Sequence, residues 1–261
     1  MVKQSMMRDE VRVLTEVTVI RVECRSSDKV LTLDQGGVRA ETVVDEILVG
    51  AGRAPNVSAL GLEAAGVDYD EARGVTVDDQ MRTTNRRIFA TGDVASRFKF
   101  THISDATARI VIRNALFFGR DRMSALTVPW CTYTDPEVGH VGLNESEARE
   151  RGIALKTFVQ ELRDVDRAVL DGEVSGFVKV HVRQGGDQMM GATVVARHAG
   201  EMLSELTLAI SRGVGLSAIA TVIRPYPTRA EAIKQLADTF NRSRLTPRLR
   251  LLFTIWFSLN R

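Results

Sequence analysis

The chain has 261 residues, 44% hydrophobic and 26% charged, with 35 Lys and Arg set against 33 Asp and Glu. Those proportions describe a globular protein of one or two domains, and a net charge of +2 gives no electrostatic basis for binding nucleic acid. Two distant cysteines, Cys24 and Cys131, make neither a disulfide framework nor a metal-ligand spacing. No apolar run is long enough to span a bilayer, and the first residues lack the apolar stretch of a signal peptide. We therefore expect no nucleic acid, no integral membrane segment, no metal site and a cytoplasmic location.

In chain order, the first 50 residues read as β. Val11, Val13, Val17, Val19 and Val22 belong to β-branched runs. Ser26, Ser27 and Asp28 make a turn before residues 30–33, and Gly36 and Gly37 make another before residues 42–49. The meander feeds one apolar run, Glu46-Ile-Leu-Val-Gly50, expected to be a buried strand. Three short strands cannot bury two faces, so partners are expected from outside this stretch. Residues 51–74 are rich in glycine and read as loop. Strands are expected at 75–77 and 88–90, then a helix over 104–118 stopped by Gly119.

Residues 128–134 read as a strand ending at the turn Asp135-Pro136. Asn144 with Glu147 three residues on forms a capping box, so a short helix should run to about Arg151. Val178, Val180 and Val182 alternate with Lys179, His181 and Arg183, the pattern of a half-exposed strand. Gly185-Gly186-Asp187 turns that strand into 190–196 as a hairpin. Helical spacing links Leu203, Leu206, Ile210 and Val214, and again Ile233, Leu236, Ala237 and Phe240. The tail 244–261 reads as an amphipathic helix, more naturally docked on protein than on lipid. The fold class is α/β plus α+β.

The sharpest motif is Thr84-Asn-Arg-Arg-Ile-Phe-Ala-Thr-Gly-Asp93. A buried strand is expected to deliver Gly92 and Asp93 at its C-terminal end, where α/β folds bind ligands. Gly92 permits close approach of a ligand, and Asp93 offers an acceptor for hydroxyls. Read alone, the aspartate is more often a turn or N-cap residue than a ligand contact. In context the string resembles the second flavin motif of the pyridine nucleotide–disulfide oxidoreductases, which carries Thr and then Ile-Phe-Ala-x-Gly-Asp. Val49-Gly-Ala-Gly-Arg-Ala-Pro-Asn56 is similar to the segment of that family that passes from the NAD(P) domain back to the FAD domain. Pro129-Trp-Cys-Thr-Tyr-Thr-Asp-Pro-Glu-Val-Gly-His-Val-Gly142 resembles the opening of its interface domain. Pro225-Tyr-Pro-Thr-Arg-Ala-Glu231 resembles its His-Pro-Thr-x-x-Glu element.

The resemblance implies a remnant of a Rossmann-like NAD(P) domain over 1–50 and the C-terminal part of an FAD domain over 51–126. An antiparallel-sheet interface domain would follow over 127–243, then the tail 244–261. It implies FAD contacts from Gly52, Arg53, Gly92, Asp93 and His102, the last at a helix start whose dipole favours negative charge on a reduced ring. It also implies a homodimer through 127–243, with Tyr226 and Glu231 acting on the partner's redox site. In the family, hydride passes from NAD(P)H to flavin, then to a cysteine pair, then to a disulfide or metal ion.

Two departures shape the reading. Tyr226 stands where the family places a histidine, and a phenol titrating near 10 is a poor proton shuttle at neutral pH, so dihydrolipoamide and glutathione fit less well than a soft metal ion. It can equally be an ordinary interface aromatic. The mercuric-reductase-like branch shares that departure, but the C-terminal cysteine pair often seen there is missing from Ser258-Leu-Asn-Arg261. No Gly-x-Gly-x-x-Gly follows a strand and no close cysteine pair occurs. Cys131 reads as a small buried hydrophobe. Met1 is expected to fall inside the NAD(P) domain. Micromolar affinity needs about 8 kcal/mol, against roughly 0.5–1.5 kcal/mol for each remaining hydrogen bond, so the chain is expected to be inactive alone. Two other readings compete. One is a non-catalytic dimerisation module pairing with a separate flavoprotein chain. The other is a surface membrane protein using the tail.

Overall fold

The computed structural model describes residues 1–259, the side chains of 247–252 excepted. The chain divides into two compact units, Lys3–Gly119 and a second from Arg120 onward that also takes in Met1 and Val2. After a short helix α1 (Val2–Arg8), strands β1 (Thr18–Arg25), β2 (Asp28–Gln35) and β3 (Val38–Val44) form an antiparallel meander. Its β2–β3 turn is the glycine pair: Gly36 and Gly37 have φ of 61° and 87°, the positive values a two-residue hairpin loop needs. The Asp34 carboxylate accepts the Gly37 N–H at 3.0 Å. Helix α1 and the irregular path of residues 11–17 replace the β-structure expected there.

The strand expected at 46–50 does not form. The segment pairs with nothing among the described residues, and Leu48 is 99% exposed. Its composition suits a central strand, but a strand exists only where a neighbour completes its hydrogen-bond ladder. A small core of Val57, Val67 and Val75 organises the next stretch, with Leu62, Ile88 and Ala90 packed against it. The strand expected at 75–77 contracts to β5 (Gly74–Val75), paired with β4 (Tyr69–Asp70). Residues 88–90 are extended but hold only a single bridge, Arg82 to Phe89, so no buried strand leads into Gly92. Helix α2 (Thr101–Leu116) starts three residues before expectation. It ends at Leu116, two residues before the expected Phe118; Phe118 turns left-handed at φ 55°, and the Gly119 N–H reaches the Arg113 carbonyl at 3.0 Å.

The second unit is an antiparallel sheet in the order β6-β7-β10-β9-β8. Its strands are β6 (Pro129–Thr132), β7 (Glu137–Gly142), β8 (Leu155–Glu161), β9 (Phe177–Arg183) and β10 (Met189–Ala196). Helix α3 (Glu145–Glu150) carries the expected capping box, Asn144 accepting the Glu147 N–H and Glu147 accepting the Asn144 N–H. Short helices α4 (Asp166–Leu170) and α6 (Leu216–Ile219) flank the longer α5 (Ala199–Ser211) and α7 (Glu231–Ser243). Helix α5 packs on β6, β7 and β10, and α7 on β8 and β9. Ile233, Leu236, Ala237 and Phe240 are all buried, as their spacing predicts, and Phe240 meets Phe158 edge-to-face at 5.3 Å. Val214 falls beyond the end of α5.

Strand β9 keeps the expected alternation, with Val178, Val180 and Val182 buried, Lys179 part-exposed and Arg183 exposed, but His181 departs from it: it is completely buried, and its Nδ1 pairs with Thr157 at 2.9 Å. Helix α8 (Pro247–Leu259) forms, and Phe253, Ile255, Trp256, Phe257 and Leu259 on it are exposed. Asn260 and Arg261 lie outside the described residues.

Candidate functional site

In the first unit the loop 92–100 is tied to α2 by one buried hydroxyl. Thr107 Oγ1 lies 2.6 Å from Thr91 Oγ1, accepts the Gly92 N–H at 3.2 Å and donates to the Ile103 carbonyl at 2.9 Å. Gly92 has φ 79°, a left-handed conformation that strains any other residue, and a Cβ there would press on Ser104 Oγ at 3.2 Å. This holds the Asp93 carboxylate half-exposed, 3.9 Å from Arg53 Nη1. Ser104 Oγ reaches Asp93 Oδ1 only at 3.5 Å, the outer limit of a hydrogen bond. Arg53 donates to the Lys99 carbonyl, and Lys99 Nζ donates to the Asp93 carbonyl at 2.9 Å.

The structure thus gathers Arg53 and Asp93 with Lys99, Ser104 and Thr107, and Gly52 precedes Arg53 on the same rim. His102 lies one residue into α2, its ring stacked on Phe100 at 5.3 Å. Phe100, the N-cap of α2, supplies no side-chain cap, so the positive end of a 16-residue helix is not masked there. An acceptor carboxylate, a guanidinium and a positive helix terminus fit a polyhydroxylated anionic ligand of the kind FAD is. Lys99 and Thr107 have no signature in sequence, because their roles arise from a loop folding back on a helix.

The second unit gathers Tyr226 and Glu231 at the start of α7. Both line a cavity of about 290 Å³, together with Arg224 and Lys234. They are not hydrogen-bonded to each other: Tyr226 donates instead to Asp166 Oδ2 at 2.7 Å. That hydrogen bond, then the Asp166 charge, raises the phenol's pKa, so Tyr226 stays neutral at physiological pH. Its oxygen lone pairs remain as acceptors. Glu231 Oε2 is buried without a partner, as are Arg224 Nε and Thr228 Oγ1. Arg224 itself is clamped by Glu205 and by the carbonyls of Ile219 and Val222. Asp166 lies 60 residues upstream in sequence, where nothing marks it as Tyr226's partner.

Cys131 is half-buried, a correction to the expectation of full burial. Burial and the Glu137 carboxylate 3.8 Å away push its thiol up to about 11, which leaves it protonated and inert. The ligand atoms of Glu137, His198 and Glu201 lie within 4.8 Å of one another. Glu137 already accepts the Gly200 N–H there, and the positive N-terminus of α5 opposes a cation.

Comparison with known proteins gives this geometry a lineage. Residues 1–108 match the model of the pyridine nucleotide-disulphide oxidoreductases, and residues 128–237 match the dimerisation domain of the same family. The chain belongs to the pyridine nucleotide-disulphide oxidoreductases, and its α/β plus α+β architecture is that of their class. It is 32% identical to a mercuric reductase of Staphylococcus aureus over 92% of this chain and 44% of that protein. It is 36% identical to a dihydrolipoyl dehydrogenase of Thermus scotoductus over 80% of this chain and 45% of the relative. Among solved structures, the HOCl-induced flavoprotein disulfide reductase RclA of Escherichia coli superposes with a TM-score of 0.80 at 26% identity, covering 91% of this chain and 54% of RclA. LpdA of Mycobacterium tuberculosis gives 0.83 at 25% identity, over 91% and 51%. The chain spans about half the length of these relatives. Among the described residues no helix is long and apolar enough to cross a membrane.

Proposed function

We propose that this chain furnishes the flavin-anchoring rim and the dimer-forming domain of an FAD- and NAD(P)-dependent oxidoreductase that reduces a soft metal ion, mercuric ion being the leading candidate. The observation that carries the reading is the Asp93 carboxylate, half-exposed beside Arg53 and the α2 N-terminus with most of its acceptor capacity free. Bound flavin would supply two-electron transfer between nicotinamide and thiol. Asp93 accepts ligand hydroxyls, Arg53 and the helix terminus offset negative charge, and Gly92 keeps the approach open. In the second unit, Tyr226 presents a neutral phenol whose proton is committed to Asp166. Such an oxygen ligates or positions a metal ion beside thiolates more readily than it shuttles protons to a disulfide.

The groups on this chain give FAD a few hydrogen bonds of about 0.5–1.5 kcal/mol each, well under the roughly 8 kcal/mol of micromolar binding. Retained flavin and turnover therefore require further protein that completes the adenosine and nicotinamide sites, on the same chain or on a partner chain. The test is flavin retention and NAD(P)H-dependent reduction of mercuric ion and of a disulfide by the completed protein, with Asp93→Ala beside it. We expect Asp93→Ala to weaken flavin binding about tenfold or more at unchanged thermal stability, since hydrogen bonds to charged groups are worth about 1.5–3 kcal/mol. Unchanged flavin affinity in Asp93→Ala would refute the anchoring role. Disulfide turnover exceeding metal turnover would refute the substrate class.

A further inference from the structure

The first unit has a second polar groove, none of whose lining residues belongs to the Arg53–Asp93 rim. Residues 76–86 fold back on themselves through the isolated bridge between Val77 and Thr83, and they enclose an open groove of about 500 Å³. Thr76, Asp78, Gln80, Arg82 and Arg86 are on its lining. The turn is fixed from several sides. The Asp78 N–H donates to the Arg82 carbonyl at 2.8 Å, and Met81 is only 1% exposed. Asp78 Oδ1 accepts the Gln80 and Arg82 N–H groups at 2.8 and 2.9 Å. Arg82 lies over the Phe89 ring, its guanidinium carbon 5.0 Å from the centroid, so the fork is oriented before any ligand arrives. Its Nε is buried without a hydrogen-bond partner, and among the described residues neither Arg82 nor Arg86 is ion-paired to a carboxylate. The carboxylate on the lining, Asp78, already has one oxygen committed to two backbone N–H groups.

From these features we infer that the groove binds a small hydroxylated phosphate ester, its phosphate held between Arg82 and Arg86. A guanidinium fork matches two phosphate oxygens, and two arginines match a group that carries a charge of about −1.5 to −2 at neutral pH. The volume exceeds that of a bare ion and falls in the range of small-molecule sites, about 300–1,000 Å³. The rest of the lining is polar, not aromatic, so the body of the ligand is sugar-like: the second Asp78 oxygen and the Gln80 amide are placed for hydroxyls. The inference is independent of the flavin and metal chemistry above.

Calorimetric titration of the full chain with ribose 5-phosphate tests it, beside inorganic phosphate and ribose. The expected result is saturable binding of ribose 5-phosphate, weaker binding of inorganic phosphate and none of ribose. R82M and R86M should each weaken ribose 5-phosphate about tenfold or more. Arg86 is exposed, so R86M should keep its far-ultraviolet circular dichroism and separate lost binding from lost fold. Arg87 is outside the groove's lining, and R87M should change affinity by no more than about twofold. Amide shifts during the titration should centre on residues 76–86. No saturable binding overturns the inference, as does a folded R86M that binds as tightly as the unaltered chain. Equal losses in R87M and R86M would reduce the effect to diffuse charge and overturn it too. Ribose 5-phosphate binding no tighter than inorganic phosphate refutes the ester, and shifts centred on Arg53 and the start of α2 refute the groove.

Discussion

Tyr226 and Asp166 make a short hydrogen bond in which the phenol donates, and the carboxylate's charge opposes loss of that proton. Asp166→Asn removes the charge while keeping an acceptor, so Tyr226 should then ionise at lower pH. Ultraviolet difference titration against Tyr226→Phe resolves this residue from Tyr69 and Tyr133, and an unmoved titration would show that Asp166 does not set the phenol's proton. His181 offers a second measurement. Burial lowers its pKa below the ordinary 6.5, and His140 is shifted the same way for the same reason. Between the lowered folded value and 6.5 the unfolded chain binds more protons than the folded one, so stability rises with pH across that window. It should be fully present above about 6.5 and fall as the pH drops below it. Urea unfolding midpoints at neutral and mildly acid pH check the slope, and His181→Gln should flatten it. Neither pair could be read from the chain, since a phenol and a carboxylate 60 residues apart carry no joint signal.

Elements built on local chemistry came out where their signals lie. Asn144→Ala breaks the capping box of α3 and should cost about 1 kcal/mol. Ile233→Ala or Leu236→Ala empties fully buried positions on α7 and should cost about 2–5 kcal/mol, read from chemical denaturation. Periodicity, caps and the Gly36-Gly37 turn act within a few residues, so they are visible in sequence. Residues 46–50 show the limit of that logic. Their apolar β-branched run describes what a strand would bury, but exposed Leu48 and Val49 have no ladder to join among the described residues. Alternation in β9 holds for its valines and for Arg183 and misses only His181, whose burial depends on neighbours that the strand's own pattern does not contain.

At the scale of the whole molecule, the second unit matches a dimerisation domain and leaves large apolar side chains in solvent. Ile223 is 96% exposed and Leu170 70%, large apolar side chains of the kind an interface would cover. We expect a homodimer through 127–243, with static light scattering giving twice the chain mass of 28.8 kDa. Ile223→Glu should shift the population toward monomer, and a monodisperse monomer of the unaltered chain would contradict the expected assembly.

Family, fold class, hairpins, caps and the amphipathic face of α7 were legible in the residues alone, because each depends on short-range spacing or on motifs such as Ile88 to Asp93. The pinning of Gly92 by Thr107, the pairing of Tyr226 with Asp166 instead of Glu231, the burial of His181 and the exposure of Trp256 and Phe257 were not. Each depends on which distant segment comes to lie against a residue, and that is set by packing, not by sequence neighbours.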